Sequence, residues 1–140
     1  MKGFTLLEVV IALSILGFLV YIGSGPVLGM VPKYRLESAV WEIRSAMNAA
    51  RHQALFEGRS TRVRFDTQGL SLDVYDSAAE VWRFRERRTL DGVRISANNA
   101  PIFTAQGTVT GLVTITVVNR WGGYRLTLAI TGRLKSARIT

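Results

Sequence analysis

The chain has 140 residues, 48% hydrophobic and 20% charged, with a mean hydropathy of +0.19 and a formal net charge of +8. That length accommodates one domain and one additional element. The absence of cysteine excludes disulfides, thiol nucleophiles and Cys-ligated metals, and a single histidine excludes a metal site built of His ligands. The charge is unevenly placed. Only Lys2 and Glu8 precede residue 33, so residues 33–140 carry 17 basic and 9 acidic side chains. Asp91 is the last acid, and Arg94, Arg120, Arg125, Arg133, Lys135 and Arg138 follow it. Such an arginine-rich surface suits bidentate phosphate or carboxylate contacts, and it also serves simply to keep a small domain soluble.

The first element is an apolar run from Phe4 to Ile22 in which Glu8 is the one charged residue. Its length approaches the ~20 residues that cross a bilayer as a helix. A cleaved secretory signal fits less well than a retained segment. The basic part is only Met1-Lys2, no A-x-A site follows, and Pro26 directly follows the small residues Gly23-Ser24-Gly25. A carboxylate in hydrocarbon costs a few kcal/mol, so Glu8 calls for a partner. A free α-amino group would serve. A cut after Gly3 would create one on Phe4, able to pair with Glu8 of a neighbouring chain and set the axial register of packed helices.

Gly3-Phe4-Thr5-Leu6-Leu7-Glu8 ahead of an apolar helix resembles the class III signal of type IV pilins and type II secretion pseudopilins. The resemblance implies cleavage by a prepilin peptidase between Gly3 and Phe4, methylation of Phe4, and Glu8 as the acid that supports filament assembly. The leader would be residues 1–3.

Gly23, Gly25, Pro26, Gly29 and Pro32 come next. Proline removes a helical hydrogen bond and glycine adds backbone freedom, so a kinked or locally melted stretch is expected over 23–32. Helix is expected to resume near Lys33. Leu36, Val40, Ile43, Met47, Ala50 and Ala54 recur at spacings of four and three as one apolar stripe. Gly58 then ends the helix.

From Arg59 the period becomes two. Thr61, Val63 and Phe65 alternate with Arg62 and Arg64. Residues 66–69 read as a turn, and Leu70, Leu72 and Val74 share a face, which predicts a hairpin. Val81 to Arg85 reads as a third strand, with weaker runs at 93–95 and 101–104. Leu112 to Val118 is a further strand, and Asn119 to Gly123 turns the chain. Tyr124, Leu126, Leu128 and Ile130 then alternate with polar or small residues. Leu134 to Ile139 is either a last short strand or a free tail. The expected class is α+β: a long N-terminal helix, its first half membrane-spanning, packed on a C-terminal antiparallel β-sandwich head. The division is a leader at 1–3, a membrane or filament-core helix at 4–32, and an amphipathic helix with a soluble head at 33–140. This order, closed by Thr131-Gly132-Arg133, resembles the GspH/FimT group of minor pseudopilins and minor pilins.

No catalytic arrangement stands out. His52 reads as a packing or surface residue. No G-x-S-x-G elbow or phosphate-cradling loop is present, and Asp66, Asp73, Asp76 and Glu80 read as solvated turn acids. The chain is therefore expected not to be an enzyme and to need no cofactor or metal. The resemblance implies a minor subunit of a type II secretion or type IV pilus filament that helps initiate or cap it. Its expected place is the bacterial inner membrane, single-pass, with a periplasmic head. Its expected partners are other pilin subunits, the prepilin peptidase and the membrane. The alternative is a FimT-like minor pilin that binds DNA through a basic C-terminal tail. Gly132-Arg133-Leu134-Lys135 is similar to the Gly-Arg-x-Arg motif of that group, with Lys135 in place of the second arginine, and Arg138, Arg120 and Arg125 are further candidates.

Overall fold

The computed structural model describes residues 3–139 and, for residues 24–28, the backbone only. Its contacts divide the chain into two compact units, Met1–Val31 and Pro32–Thr140. Met1 and Lys2 of the expected leader lie outside the described residues.

Helix α1 runs from Leu6 to Glu57, 52 residues without a break in helical backbone. The melting expected over 23–32 is therefore not observed. Each proline removes a single donor, and Pro26 and Pro32 are six residues apart, so intact bonds flank each lost one. The Pro32 carbonyl has an added partner, the Asn119 side-chain amide, which donates to it at 2.6 Å. Gly58, at φ +63°, stops the helix in the left-handed conformation that favours glycine.

Among its described residues, the first unit buries no side chain. Phe4, Leu6, Leu7 and the large apolar residues from Val9 to Ile22 are exposed, and Leu6–Gly23 is long and apolar enough to cross a membrane. The second unit is the head. Its helical part buries the expected stripe, with Val40 only partly covered, and adds Ala39 and Ala46.

Among the described residues, nine strands follow in two antiparallel sheets. The first sheet has the order β3-β2-β1-β5-β6, from β1 (Thr61–Phe65), β2 (Gly69–Asp76), β3 (Val81–Thr89), β5 (Ile102–Phe103) and β6 (Val109–Thr110). The second has the order β4-β7-β8-β9, from β4 (Arg94–Ala97), β7 (Thr114–Asn119), β8 (Gly122–Leu128) and β9 (Leu134–Ile139). The hairpin register pairs Thr61 with Val74 and Phe65 with Leu70. Val63, Leu70 and Leu72 of the first sheet, Ile115, Val117, Leu126 and Leu128 of the second, and the helix stripe form one core.

Three differences from the sequence reading have physical causes. Strand β3 extends to Thr89, past the expected Arg85. Its Glu86, Arg87 and Arg88 hide it from a hydrophobic pattern, yet charge is what protects an edge strand from pairing with other chains. Ile130 lies beyond β8 and is exposed, because the turn from Ala129 to Arg133 has already begun. The last segment is a strand and not a tail: Leu134 pairs with Leu128 and Ile139 with Gly123.

Candidate functional site

The N-terminal motif begins at the first turn of α1. Thr5 occupies the N-cap position ahead of Leu6. The Thr5 hydroxyl accepts from the Glu8 backbone N–H at 3.3 Å, and the Glu8 carboxylate accepts from the Thr5 backbone N–H at 3.4 Å. This reciprocal arrangement is a capping box. It satisfies donors that the helix start would leave unpaired. The sequence signal for it is Thr5-Leu6-Leu7-Glu8, the T-x-x-E spacing, which the reading of Glu8 as an assembly acid passed over. Both residues are exposed, as are Gly3 and Phe4, so the motif remains accessible to another chain.

The C-terminal cations do not form one tail. Strand β8 separates the turn holding Arg120 from the turn holding Arg133 by about 20 Å, at ~3.3 Å per residue. Strand alternation then divides the others. Leu126 and Leu128 face the core, so Arg125 and Thr127 face outward, and the register places Lys135 opposite Thr127. Arg125 and Lys135 are thus diagonal neighbours on the outer face. Arg94 joins them from β4, since its neighbour Ile95 is buried. Threonines 114, 116 and 127 fill the ground between. Arg94 was not among the expected binding residues, because only the sheet order β4-β7-β8-β9 brings it to this face. Arg138 points the other way, opposite Tyr124, and its guanidinium carbon lies 4.1 Å from the centre of the Trp121 ring.

Gly132 has a structural role in this region. It adopts φ +80°, donates to the Ala129 carbonyl at 2.8 Å, and leaves room for the Arg51 side chain, whose Nη1 would lie 2.9 Å from an added Cβ. The Gly-Arg pair near the C-terminus therefore closes the β8–β9 hairpin over the helix.

One of the four expected turn acids differs from expectation. Asp73 is not a solvated turn residue: it is 1% exposed, in the middle of β2. Arg62 donates to it at 2.8 and 3.2 Å, and Arg64 at 2.6 and 3.0 Å. Burial pushes its pKa up, but the hydrogen bonds from Arg64 and Arg62 outweigh burial and hold the carboxyl below the usual carboxylate range. Asp76, Asp66, Glu57 and Glu42 pair with Arg83, Arg87, Arg85 and Arg88, and Glu86 also pairs with Arg88. An open pocket of about 340 Å³ near the end of α1 is lined by two of these pairs, Arg83–Asp76 and Arg85–Glu57. His52 is exposed on the helix.

Residues 1–20 match the model of the prokaryotic N-terminal methylation motif. The head resembles two solved structures. One is the minor pseudopilin EpsH from the type 2 secretion system of Vibrio cholerae, with a TM-score of 0.62 and 16% identity over 74% of this chain and 97% of that one. The other is the type IV minor pilin FimU of Pseudomonas aeruginosa, with a TM-score of 0.60 and 20% identity over 75% of this chain and 90% of that one. The chain thus carries the methylation motif at its start and shares its fold with these pseudopilin and minor-pilin structures. No curated protein sequence matches the chain.

Proposed function

We propose that the chain is a minor pseudopilin or minor pilin subunit. It is cut after Gly3, methylated on Phe4 and held in the inner membrane by a single span, with the head on the periplasmic side. It joins a filament through α1 and helps to initiate or cap it. The observation that supports this most is the exposed apolar helix Leu6–Gly23 directly behind the methylation motif. Apolar surface on that scale needs lipid or neighbouring helices to cover it. Glu8, capped by its own Thr5 in the single chain, can exchange that partner for the Phe4 amine of a neighbour. Mass spectrometry of the chain from cells with an active prepilin peptidase tests the processing. A mature chain starting at methylated Phe4 is expected, and an intact Met1 would sink the proposal. Glu8→Ala should leave the chain in the membrane and remove it from filaments.

A second reading, DNA binding, is favoured by one observation. None of the six cations after Asp91 has an acidic partner among the described residues. Only Arg94, Arg125 and Lys135 share a face, so they are the residues to test together. On duplex DNA, replacing all three by Ala should flatten the salt dependence by about 2–3 units of log–log slope, at ~0.9 per phosphate contact. Replacing Arg133 and Arg138 should do less. An unchanged slope for the triple variant leaves the purely structural subunit as the better reading.

A further inference from the structure

The β7–β8 turn carries an arrangement that neither reading uses. Arg120 and Trp121 are its two loop residues, since Asn119 pairs with Gly122. Trp121, partly buried against the core, is approached by two cations, with the Arg138 guanidinium carbon at 4.1 Å from the ring centre and the Lys33 ammonium at 5.7 Å. Asn119 holds the turn in place from both ends of its side chain. Its Oδ1 accepts from the Trp121 backbone N–H at 2.9 Å, and its Nδ2 donates to the Pro32 carbonyl at 2.6 Å. The turn is thereby tied to the point where the chain enters the head.

We propose that this turn, with Arg138 and Lys33 close to Trp121 and Arg120 next to it in the loop, docks the head on anionic lipid headgroups. The inference rests on the reading that the apolar helix spans a bilayer. After Glu8 the next charged residue is Lys33, so 24 uncharged residues separate them. At 1.5 Å per helical residue that is about 36 Å, against ~30 Å of hydrocarbon and ~40–45 Å including headgroups. A span that uses this whole uncharged stretch places Lys33 at headgroup depth, and Asn119 ties the Arg120-Trp121 turn to the adjacent Pro32.

The chemistry suits that depth. Tryptophan and tyrosine favour the interface, where the ring is partly apolar and the edge is wet. Basic side chains are drawn to anionic headgroups by about 1 kcal/mol each. Tyr34, next to Lys33, is exposed and adds a second ring. The nearby acid is Glu37, 4.0 Å from Lys33, with both side chains more than two-fifths exposed. A pair so open to solvent is weak and yields to a headgroup phosphate. Nucleic acid fits this site less well, because its cations gather at one ring in a two-residue turn. Arg94, Arg125 and Lys135, spread over one sheet face, are the better duplex surface.

The test uses the full chain in lipid nanodiscs. Trp41→Phe and Trp82→Phe leave Trp121 as the single tryptophan. Its fluorescence is measured against lipids that carry a quencher in the headgroup, in neutral phosphatidylcholine discs and in discs with added phosphatidylglycerol. Quenching should be stronger in the anionic discs and fall with salt. Lys33→Gln and Arg120→Gln should each lower the docked-to-undocked ratio about fivefold, the equivalent of ~1 kcal/mol per cation. Should the double tryptophan variant not fold, fluorotryptophan resonances in the native sequence report the same contact through relaxation by spin-labelled lipid.

A chain that does not enter the discs overturns the spanning reading and this inference with it. A chain that enters, but whose quenching is equal in both discs or unmoved by the two substitutions, overturns the inference alone. Shielding of Trp121 by a DNA duplex in neutral discs, without a response to anionic lipid, would assign the turn to nucleic acid and overturn it as well.

Discussion

The two sheets of the head carry equal numbers of cations and treat them oppositely. In the first sheet Arg62, Arg64, Arg83, Arg85, Arg87 and Arg88 all meet a carboxylate. In the second, Arg94, Arg125, Lys135 and Arg138, with Arg120 and Arg133 in its turns, meet none among the described residues. Two of the first sheet's pairs reach the helix, Arg85 to Glu57 at 3.0 Å and Arg88 to Glu42 at 2.7 Å, and so brace its charged edge strand against α1. The first sheet's charge is thus neutralised within the molecule, and the second sheet's is not. A basic residue informs about partners only after its internal pairing is known.

The comparison is broken most severely at Asp73. Asp73→Ala leaves Arg62 and Arg64 facing each other without their shared acid. The loss of unfolding free energy in urea should be about 3 kcal/mol, the low end for a broken buried pair because Arg64 is half exposed. A loss under about 0.5 kcal/mol, the size of an ordinary surface change, would show that the first sheet's pairing is incidental.

Acid probes the same contrast. The Asp73 carboxyl is held below its ordinary value, and Asp76 is too, through hydrogen bonds from the backbone N–H groups of Ala78 and Ala79 and the nearby Arg83. A depressed folded-state pKa gives stability that is present above the unfolded value of ~3.9 and lost as pH falls through the folded value. Stability should therefore hold at neutral pH and fall below about pH 4. Asp73→Asn should flatten that fall. The second sheet, without acids, should contribute nothing to it.

Gly132→Ala should cost about 1 kcal/mol in the same denaturation experiment, because the left-handed conformation is strained for any residue with a Cβ. The Arg51 side chain is flexible and can move aside. Full tolerance would mean that the β8–β9 turn does not require its observed φ.

The smallest effects lie on the exposed arginines and sharpen the contrast by sign. Arg87→Ala breaks an exposed pair with Asp66 and should cost no more than ~0.5 kcal/mol. Arg125→Ala and Lys135→Ala break no pair and relieve like-charge crowding, so the melting temperature should stay level or rise slightly. A clear drop for either would reveal a structural role on the outer face.

Much of this was legible along the chain. The apolar run, the Gly-Phe-Thr-Leu-Leu-Glu start, the helix stripe and the first hairpin are local patterns, in which period and spacing carry the information. Strand β3 beyond Arg85 and the short β6 were not legible. One is charged and the other is two residues long, so neither shows an alternating apolar run. The capping box was present as T-x-x-E but hidden behind a reading of Glu8 that looked for a partner in another chain. The helical backbone through Pro26 and Pro32 went against local propensity because each proline removes only one bond.

The sequence by itself determined what is periodic or contiguous: a spanning-length helix, an amphipathic continuation, a β head and the N-terminal methylation motif. Only the tertiary structure decided which charges are neutralised. It took Asp73 from a presumed turn into a buried pair, since strand pairing sets Arg62 directly opposite it. It separated Arg133 and Arg138 from Arg125 and Lys135, since alternation and the length of β8 send them to different faces and ends. It also brought Trp121 to Lys33 across 88 positions of sequence. Pairing, facing and proximity are properties of register and packing, and no local pattern encodes them.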